Sequence, residues 1–585
     1  MVKLPRGWKL EKQAALSEPI SLTILLKQPR MDDLKSRLEE ISDPAHPEYG
    51  HHFSREQLEA YRAADLDAVQ SVYAWLEKSG FENMTVSNSS ISFTDTVFYV
   101  EDLFNTTVGH YSFDNSATRL RAESYSIPES LSGYIDFIHP LTHFMPPTYL
   151  RLEPHPLPPL PPPPPPPDNP IDVPIPPDPS AVHSRQSPQP CPSGLVTPSC
   201  LKTLYNLTTP PPPPLFSPSP VHLGITGFLD QYINAEDVST FLSKHAPDLH
   251  AANYSFSVIL VNNGTNPQTP LSTAGLEASL DMQYAMALGY PSHVTYYSVG
   301  GRGAKLDAEG KPIDAARSDN EPYLEFLEYL LALPDTERPQ VLSISYADDE
   351  QSVPYPYAVR VCDLFAQLTA RGTTVLVASG DGGVMGTGQN GCYSNDGLKT
   401  EEFIPTFPAS CPYVTAVGAT GEQRPFQGMS FSAGGFSNYF EAPGWQKTAI
   451  EGYIQALTGN HVGLYNNSGR AVPDLSAVGT GFVIEWRGEE TGVLGTSAST
   501  PVVAAVMARI NEARLRAGRN STGWLNPAIY LSPVRQVWED VVGGTSQGCM
   551  FGTEIETGFE ALAGYDCVTG VGTIGDFDSL LALLG

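Results

Sequence analysis

The residues best able to do chemistry lie in Gly495-Thr-Ser-Ala-Ser-Thr-Pro, which opens the apolar helical run Val502–Ile510. A serine at a glycine-rich turn that starts a helix sits near free backbone N–H groups, which lower the cost of developing negative charge. Ser497 is therefore a candidate nucleophile, although Ser or Thr ahead of a helix is also an ordinary N-cap. Such a nucleophile needs a base. The histidines after residue 190 are His222, His245, His250, His293 and His461, and none stands in a His-Gly-Thr type segment.

A carboxylate is the obvious substitute, because at a reference pKa of about 4 it stays deprotonated where imidazole is already blocked. In Gly275-Leu-Glu-Ala-Ser-Leu-Asp, Glu277 and Asp281 are four apart and share one helix face. Their like charges oppose simultaneous ionisation, so the pair can hold a proton in acid. Alone, such a pair is also what a solvated helix face looks like. A third carboxylate, Asp381, follows the strand-like Thr374–Val377 in Ala378-Ser-Gly-Asp-Gly-Gly. Strand C-termini are where active sites collect in open α/β sheets, and a protonated Asp381 could donate to an oxyanion. The same residue would also suit a plain turn.

The elements that must position these groups read as alternating strands and helices. Gly224–Phe228, Val258–Val261, Val294–Tyr297, Val341–Ser345 and Thr374–Ala378 have the character of short buried strands. Between them run helical stretches at Ala235–Lys244, Glu277–Leu288, Pro322–Leu333 and Tyr357–Ala370. The pattern predicts an α/β fold with a parallel sheet covered on both faces. Residues 1–150 read as a separate α+β unit, with a strand near Ser21–Lys27, helices at Met31–Ile41 and Leu66–Gly80, a strand at Asn88–Phe93 and a third helix from Val100. Between the two lies a proline-rich linker, 151–190, with an unbroken run from Pro161 to Pro167. Such a segment favours extended, exposed polyproline II and is a natural place for a maturation cut. A second proline run, Pro210–Pro214, reads as a surface loop.

At 585 residues the chain is too long for one ordinary domain. Its net charge of -30 argues against nucleic acid or anionic lipid as a main partner, and no stretch is long enough to span a membrane. The seven cysteines show no CxxC spacing, and sequons at Asn83, Asn88, Asn105, Asn206, Asn253, Asn263, Asn466 and Asn520 fit passage through a secretory lumen. An odd cysteine count leaves at least one thiol unpaired within the chain. Cys191–Cys200 is the pair expected from proximity in sequence. The first nine residues show no apolar signal-peptide core.

Taken together, the four catalytic-type segments resemble those of the sedolisin family of serine-carboxyl peptidases, and especially its tripeptidyl-peptidase members. The resemblance extends over nearly the whole chain. Leu4-Pro-Arg-Gly-Trp, Ser42-Asp-Pro-Ala-His-Pro-Glu-Tyr-Gly and Tyr125-Ser-Ile-Pro look like the family's prodomain. Ser343-Ile-Ser-Tyr, the segment from Phe407 to Thr420 and Pro473-Asp-Leu-Ser-Ala look like parts of its peptidase core. The resemblance implies a subtilisin-like parallel sheet flanked by helices after an α+β activation prodomain, with the peptidase domain at 191–585. It implies Ser497 as nucleophile, Glu277 as general base, Asp281 as the residue that orients and tunes Glu277, and Asp381 as a neutral oxyanion-hole acid. It also implies a Ca²⁺ site, with carboxylates from Asp540 and Asp566 and backbone carbonyls from Val541, Leu562 and Gly564; hard oxygen ligands in a Gly-rich loop suit that ion.

The sequence departs from the family pattern at four places. Gly382 stands where a serine is usual, Leu494 where a serine is common, Leu562 where the calcium loop has glycine, and Cys567 where proline is usual. The expected activity is acid hydrolysis of peptide and protein substrates, with release of tripeptides from free N-termini after loss of an inhibitory prodomain. The expected product is a monomer, secreted or sent to a vacuole or lysosome. An endopeptidase of the same family, an inactive homologue that binds, and a proline-rich adaptor are the competing readings.

Overall fold

The computed structural model describes residues 8–113, 119–142, 191, 194–207, 218–303, 305, 320–388, 391–531, 534–551 and 553–585. The 151–190 linker and the second proline run lie outside these residues.

The C-terminal unit is built on a nine-stranded sheet. Its spatial order is Trp538–Glu539, Thr573–Ile574, Leu475–Val478, Thr415–Thr420, Thr374–Ala378, Val341–Ile344, His222–Gly227, His293–Val299 and Phe256–Val261. Neighbours pair in parallel except the first two, which are antiparallel. Strand order reverses between His222–Gly227 and Val341–Ile344, so the carboxyl ends of these central strands open the crevice where α/β sheets bind ligands. Helices Leu276–Gly289 and Thr496–Arg516 pack on one face, within a core that includes Leu280, Tyr284, Val502 and Val506. Helices Tyr323–Ala332 and Tyr355–Ala370 cover the other, around Phe326, Leu330 and Phe365.

The strands expected from apolar runs are present within a few residues of their expected ends. One differs in kind. Phe256–Val261 is the outer edge of the sheet, with Val258 and Leu260 exposed rather than buried. An apolar run does not tell an edge strand from a central one, because both carry β-branched residues.

The N-terminal unit holds two antiparallel sheets and four α-helices among its described residues. In its strand Pro19–Leu26 the period of two sorts side chains between two jobs. Leu22, Ile24 and Leu26 face the unit's own core with Val72, Leu76 and Ile91, while Leu25 joins Met31, Leu34 and Leu38 in a core shared with the Tyr323–Ala332 and Tyr355–Ala370 helices. The two units therefore meet through a continuous apolar interface. Ion pairs flank it: Lys35–Asp363 at 2.7 Å, His139–Glu325 at 3.0 Å, and Arg62–Glu328.

Cys191–Cys200 forms a disulfide as expected, and Cys362–Cys411 and Cys392–Cys549 form two more. The odd thiol is Cys567, buried with its sulfur 3.9 Å from the Gly435 carbonyl.

Candidate active site

Ser497 lies in the first turn of Thr496–Arg516, a helix buried along most of its length. Gly495, just ahead of it, has φ 150° and ψ 166°, a backbone region open essentially only to glycine. That conformation swings the chain sharply from the Glu489–Val493 strand into the helix. Pro501 then removes the N–H that would bond the Ser497 carbonyl one turn back. The freed carbonyl oxygen lies 3.4 Å from the Ser345 hydroxyl, and the Ser497 hydroxyl lies 3.4 Å from the Ser345 carbonyl.

Glu277 and Asp281 sit on Leu276–Gly289, every residue of which is buried. A solvated helix face is thereby excluded. Ser345 Oγ donates to Asp281 Oδ1 at 2.9 Å. Burial raises the Glu277 pKa well above the ordinary carboxylate range, the charges of Asp281 and Asp381 raise it further, and a hydrogen bond from Ser497 works against them. Burial likewise raises Asp281, while hydrogen bonds from Ser345 and Glu277 pull it down. One oxygen of each carboxyl, Glu277 Oε1 and Asp281 Oδ2, is buried with no donor. Like charges on two buried carboxyls oppose simultaneous ionisation, so the pair is suited to keeping a proton in acid.

Asp381 follows the Thr374–Ala378 strand at its carboxyl end. Its Oδ1 accepts from the Thr496 N–H at 2.7 Å and the Thr496 hydroxyl at 2.9 Å, which ties it to the residue before Ser497. The Thr496 hydroxyl in turn accepts from the Gly380 N–H at 3.1 Å. Burial raises the Asp381 pKa, and the two Thr496 donors work against it. All four predicted side chains therefore converge from three segments. Such a cluster can take a proton from a hydroxyl, return it, and offer a neutral acid to an oxyanion.

Gly382 has a physical account. A β-carbon there would lie 2.3 Å from the Gly388 nitrogen and 2.6 Å from its Cα, because the 382–388 loop folds back on itself. No serine fits that loop. Nothing in the structure gives Leu494 a part. Sequence reasoning cast Ser345 only as part of a core segment, although its place directly after the Val341–Ile344 strand was a usable signal.

The two expected calcium-loop halves also meet. Asp540 Oδ2 accepts from the Gly564 N–H at 2.9 Å, and the Asp540 charge reaches Asp566. Asp566 is fully buried, accepting from the N–H groups of Val568 (2.8 Å) and Thr569 (2.7 Å). Leu562 is not among the residues with positive φ, so its β-carbon is no obstacle to presenting a carbonyl. Among the described residues no group of three or more His, Cys, Asp or Glu side chains is placed to hold a metal. A cation here would depend on the carbonyls as much as on the two carboxylates.

The chain is similar to known proteins along nearly its whole length. Residues 6–144 match the pro-kumamolisin activation domain, and residues 302–532 match the subtilase family. Tripeptidyl-peptidase SED2 of Arthroderma otae is 36% identical over 97% of this chain and 93% of its own length. Tripeptidyl-peptidase SED4 of the same organism is 35% identical over 100% of this chain and 93% of its own. Among solved structures, a Pseudomonas sedolisin complexed with two molecules of pseudo-iodotyrostatin covers 67% of this chain and 98% of its own, at 20% identity and a TM-score of 0.46.

Proposed function

Since the chain belongs to the sedolisin family of serine-carboxyl peptidases, made with an activation prodomain, we propose that it is a tripeptidyl-peptidase that works in acid with Ser497, Glu277, Asp281 and Asp381 as its catalytic set. The observation that carries the catalytic reading is the buried carboxyl pair beside the Ser497 hydroxyl, with no histidine in the cluster. Ser497 attacks the substrate carbonyl as Glu277 takes its proton; Asp281, held by Ser345, carries the pair's remaining proton and keeps Glu277 oriented. Asp381, whose pKa burial raises, donates to the oxyanion in its protonated form. Glu277 then returns its proton to the leaving amine, and water repeats the cycle on the acyl-enzyme.

Release of tripeptides is supported by the names of the relatives, which match along nearly their whole lengths. Mass spectrometry of products from a defined peptide at mild acid pH tests it. Stepwise loss of three residues from the N-terminus is expected; internal cuts that ignore the N-terminus would make the enzyme an endopeptidase.

Calcium is proposed at Asp540 and Asp566, with the carbonyls of Val541, Leu562 and Gly564. When bound, the ion would staple two C-terminal loops and take no part in the reaction. A chelator should lower the melting temperature of the matured enzyme by a few degrees, and added Ca²⁺ should restore it. Passage through a secretory route, ending outside the cell or in a vacuole or lysosome, is supported by three disulfides and by seven exposed sequons, Asn466 being half-buried.

A further inference from the structure

We infer that Gln231 is a positioning residue for the catalytic base: held by Tyr296, its carboxamide caps the first turn of the helix that carries Glu277. The inference rests on the reading of Ser497 and Glu277 as the reacting couple.

The need for such a cap follows from the sequence. The N-cap of Leu276–Gly289 is Gly275, which has no side chain to satisfy the free N–H groups of the first turn. Gln231 supplies the missing acceptor from elsewhere in the chain, its Oε1 taking the Glu277 N–H at 3.1 Å. A β-carbon at Gly275 would lie 2.4 Å from that same oxygen, so a side chain at the N-cap and the Gln231 cap exclude each other.

Gln231 is itself fixed. It follows the central strand His222–Gly227, after Leu229 (φ 56°) and Asp230 (φ 62°), two successive non-glycine residues in the left-handed region. The Gln231 N–H bonds the Phe228 carbonyl at 3.0 Å, and the Gly275 N–H bonds the Tyr232 carbonyl at 2.9 Å. The fully buried Tyr296 donates its phenol proton to the Gln231 carbonyl at 2.8 Å. Its ring passes where Gly227 has no side chain; a β-carbon there would lie 1.9 Å from the Tyr296 oxygen. Tyr296 also lies close enough to Asp281 and Glu277 for their charges to oppose its ionisation.

Tyr296, Gln231 and the Glu277 N–H thus form one chain that anchors the base from the sheet. Ser497 stands on a different helix, so fraying of the first turn would move the base away from the nucleophile. A displacement of about 1 Å between reacting groups can cost up to ~10²-fold in rate.

The test is steady-state kinetics of the acid-matured enzyme on an internally quenched peptide with a free N-terminus, across pH. Gln231→Ala should lower kcat roughly 10- to 100-fold with KM within about twofold. Gln231→Glu keeps an acceptor oxygen and should recover most of that loss. Its added negative charge disfavours ionisation of the neighbouring pair, so its acid limb should move to higher pH. Tyr296→Phe should lower kcat a few-fold. A Gln231→Ala enzyme with wild-type kcat would overturn the inference. So would a Gln231→Glu enzyme that loses as much as Gln231→Ala with an unmoved acid limb. Should Gln231→Ala fail to fold, the Gln231→Glu profile decides alone, a shifted limb supporting the inference and a wild-type profile overturning it. A Ser497→Ala enzyme as active as wild type would instead bring down the catalytic reading beneath it.

Discussion

The candidate active site and the prodomain interface both bury titratable groups, but with opposite consequences in acid. In the cluster, burial raises the carboxyl pKa values of Glu277, Asp281 and Asp381, so these groups keep protons that exposed acids would lose. At the interface, burial drives the prodomain's His52 down to about 4. His52 inserts between Gly372 and Gly523 of the peptidase unit, where a β-carbon on either glycine would lie 2.5 Å from the imidazole. Its Nε2 bonds the Ser521 carbonyl at 2.9 Å, its Nδ1 has no partner, and Arg338, Arg514 and His51 all oppose its protonation. Acid therefore suits the first region and strains the second. Burial penalises charge in both; the difference is that a buried carboxyl loses its charge by taking a proton and a buried imidazole gains charge that way.

The largest expected effect breaks the catalytic half. Glu277→Gln and Ser497→Ala should each lower kcat/KM by about 10⁴-fold or more, as single members of a catalytic unit do. Neither zymogen should process itself, whereas a residual activity near wild type in Glu277→Gln would move the base elsewhere.

Asp381→Asn sharpens the same half. It keeps the shape but changes the oxyanion donor and its contacts with Thr496, and kcat should fall roughly 10²- to 10³-fold with little change in KM. A rise in KM alone would place Asp381 in substrate binding.

The interface half is tested by His52→Gln, which can still reach the Ser521 carbonyl but cannot become charged. The sign is set by the depressed pKa. Above pH 6.5 His52 is neutral whether the prodomain is docked or free, and docking loses nothing; as pH falls from 6.5 towards 4, the free form takes a proton that the docked form refuses, and docking weakens. At pH 5 that difference amounts to roughly 30-fold. Maturation of the His52→Gln zymogen at pH 5 should then be about 10-fold slower than wild type, with unchanged kinetics once matured. Equal maturation rates of His52→Gln and wild type across pH 4 to 7 would show that His52 does not weaken docking in acid.

How far each region was legible in sequence follows from the range of its interactions. Ser497, Glu277, Asp281 and Asp381 stand in local segments that each also suit a plain N-cap, helix face or turn, so the α/β alternation could be read along the chain but the candidate catalytic set needed the family resemblance to single it out. The small helix Arg55–Arg62 and the strands Val108–Phe113 and Arg119–Ala122 were not, because their apolar positions are few and their pairing is set at a distance. His52 carries no local signal at all. Its setting is made by Gly372 and Gly523, more than three hundred residues away, and only the fold brings them together. Gln231 and Ser345 are similar cases, ordinary polar residues given their part by the helices they meet.

In the proposed mechanism a carboxyl pair, and no imidazole, activates the Ser497 hydroxyl. The pH dependence of kcat/KM for the matured enzyme reads that most directly. A bell in the acid range is predicted, rising as the pair loses its first proton and falling again on the alkaline side as Asp381 or the pair loses the next. A single rise to a plateau at pH 7 to 8, with no activity below pH 5, is the signature of a histidine base and would contradict it.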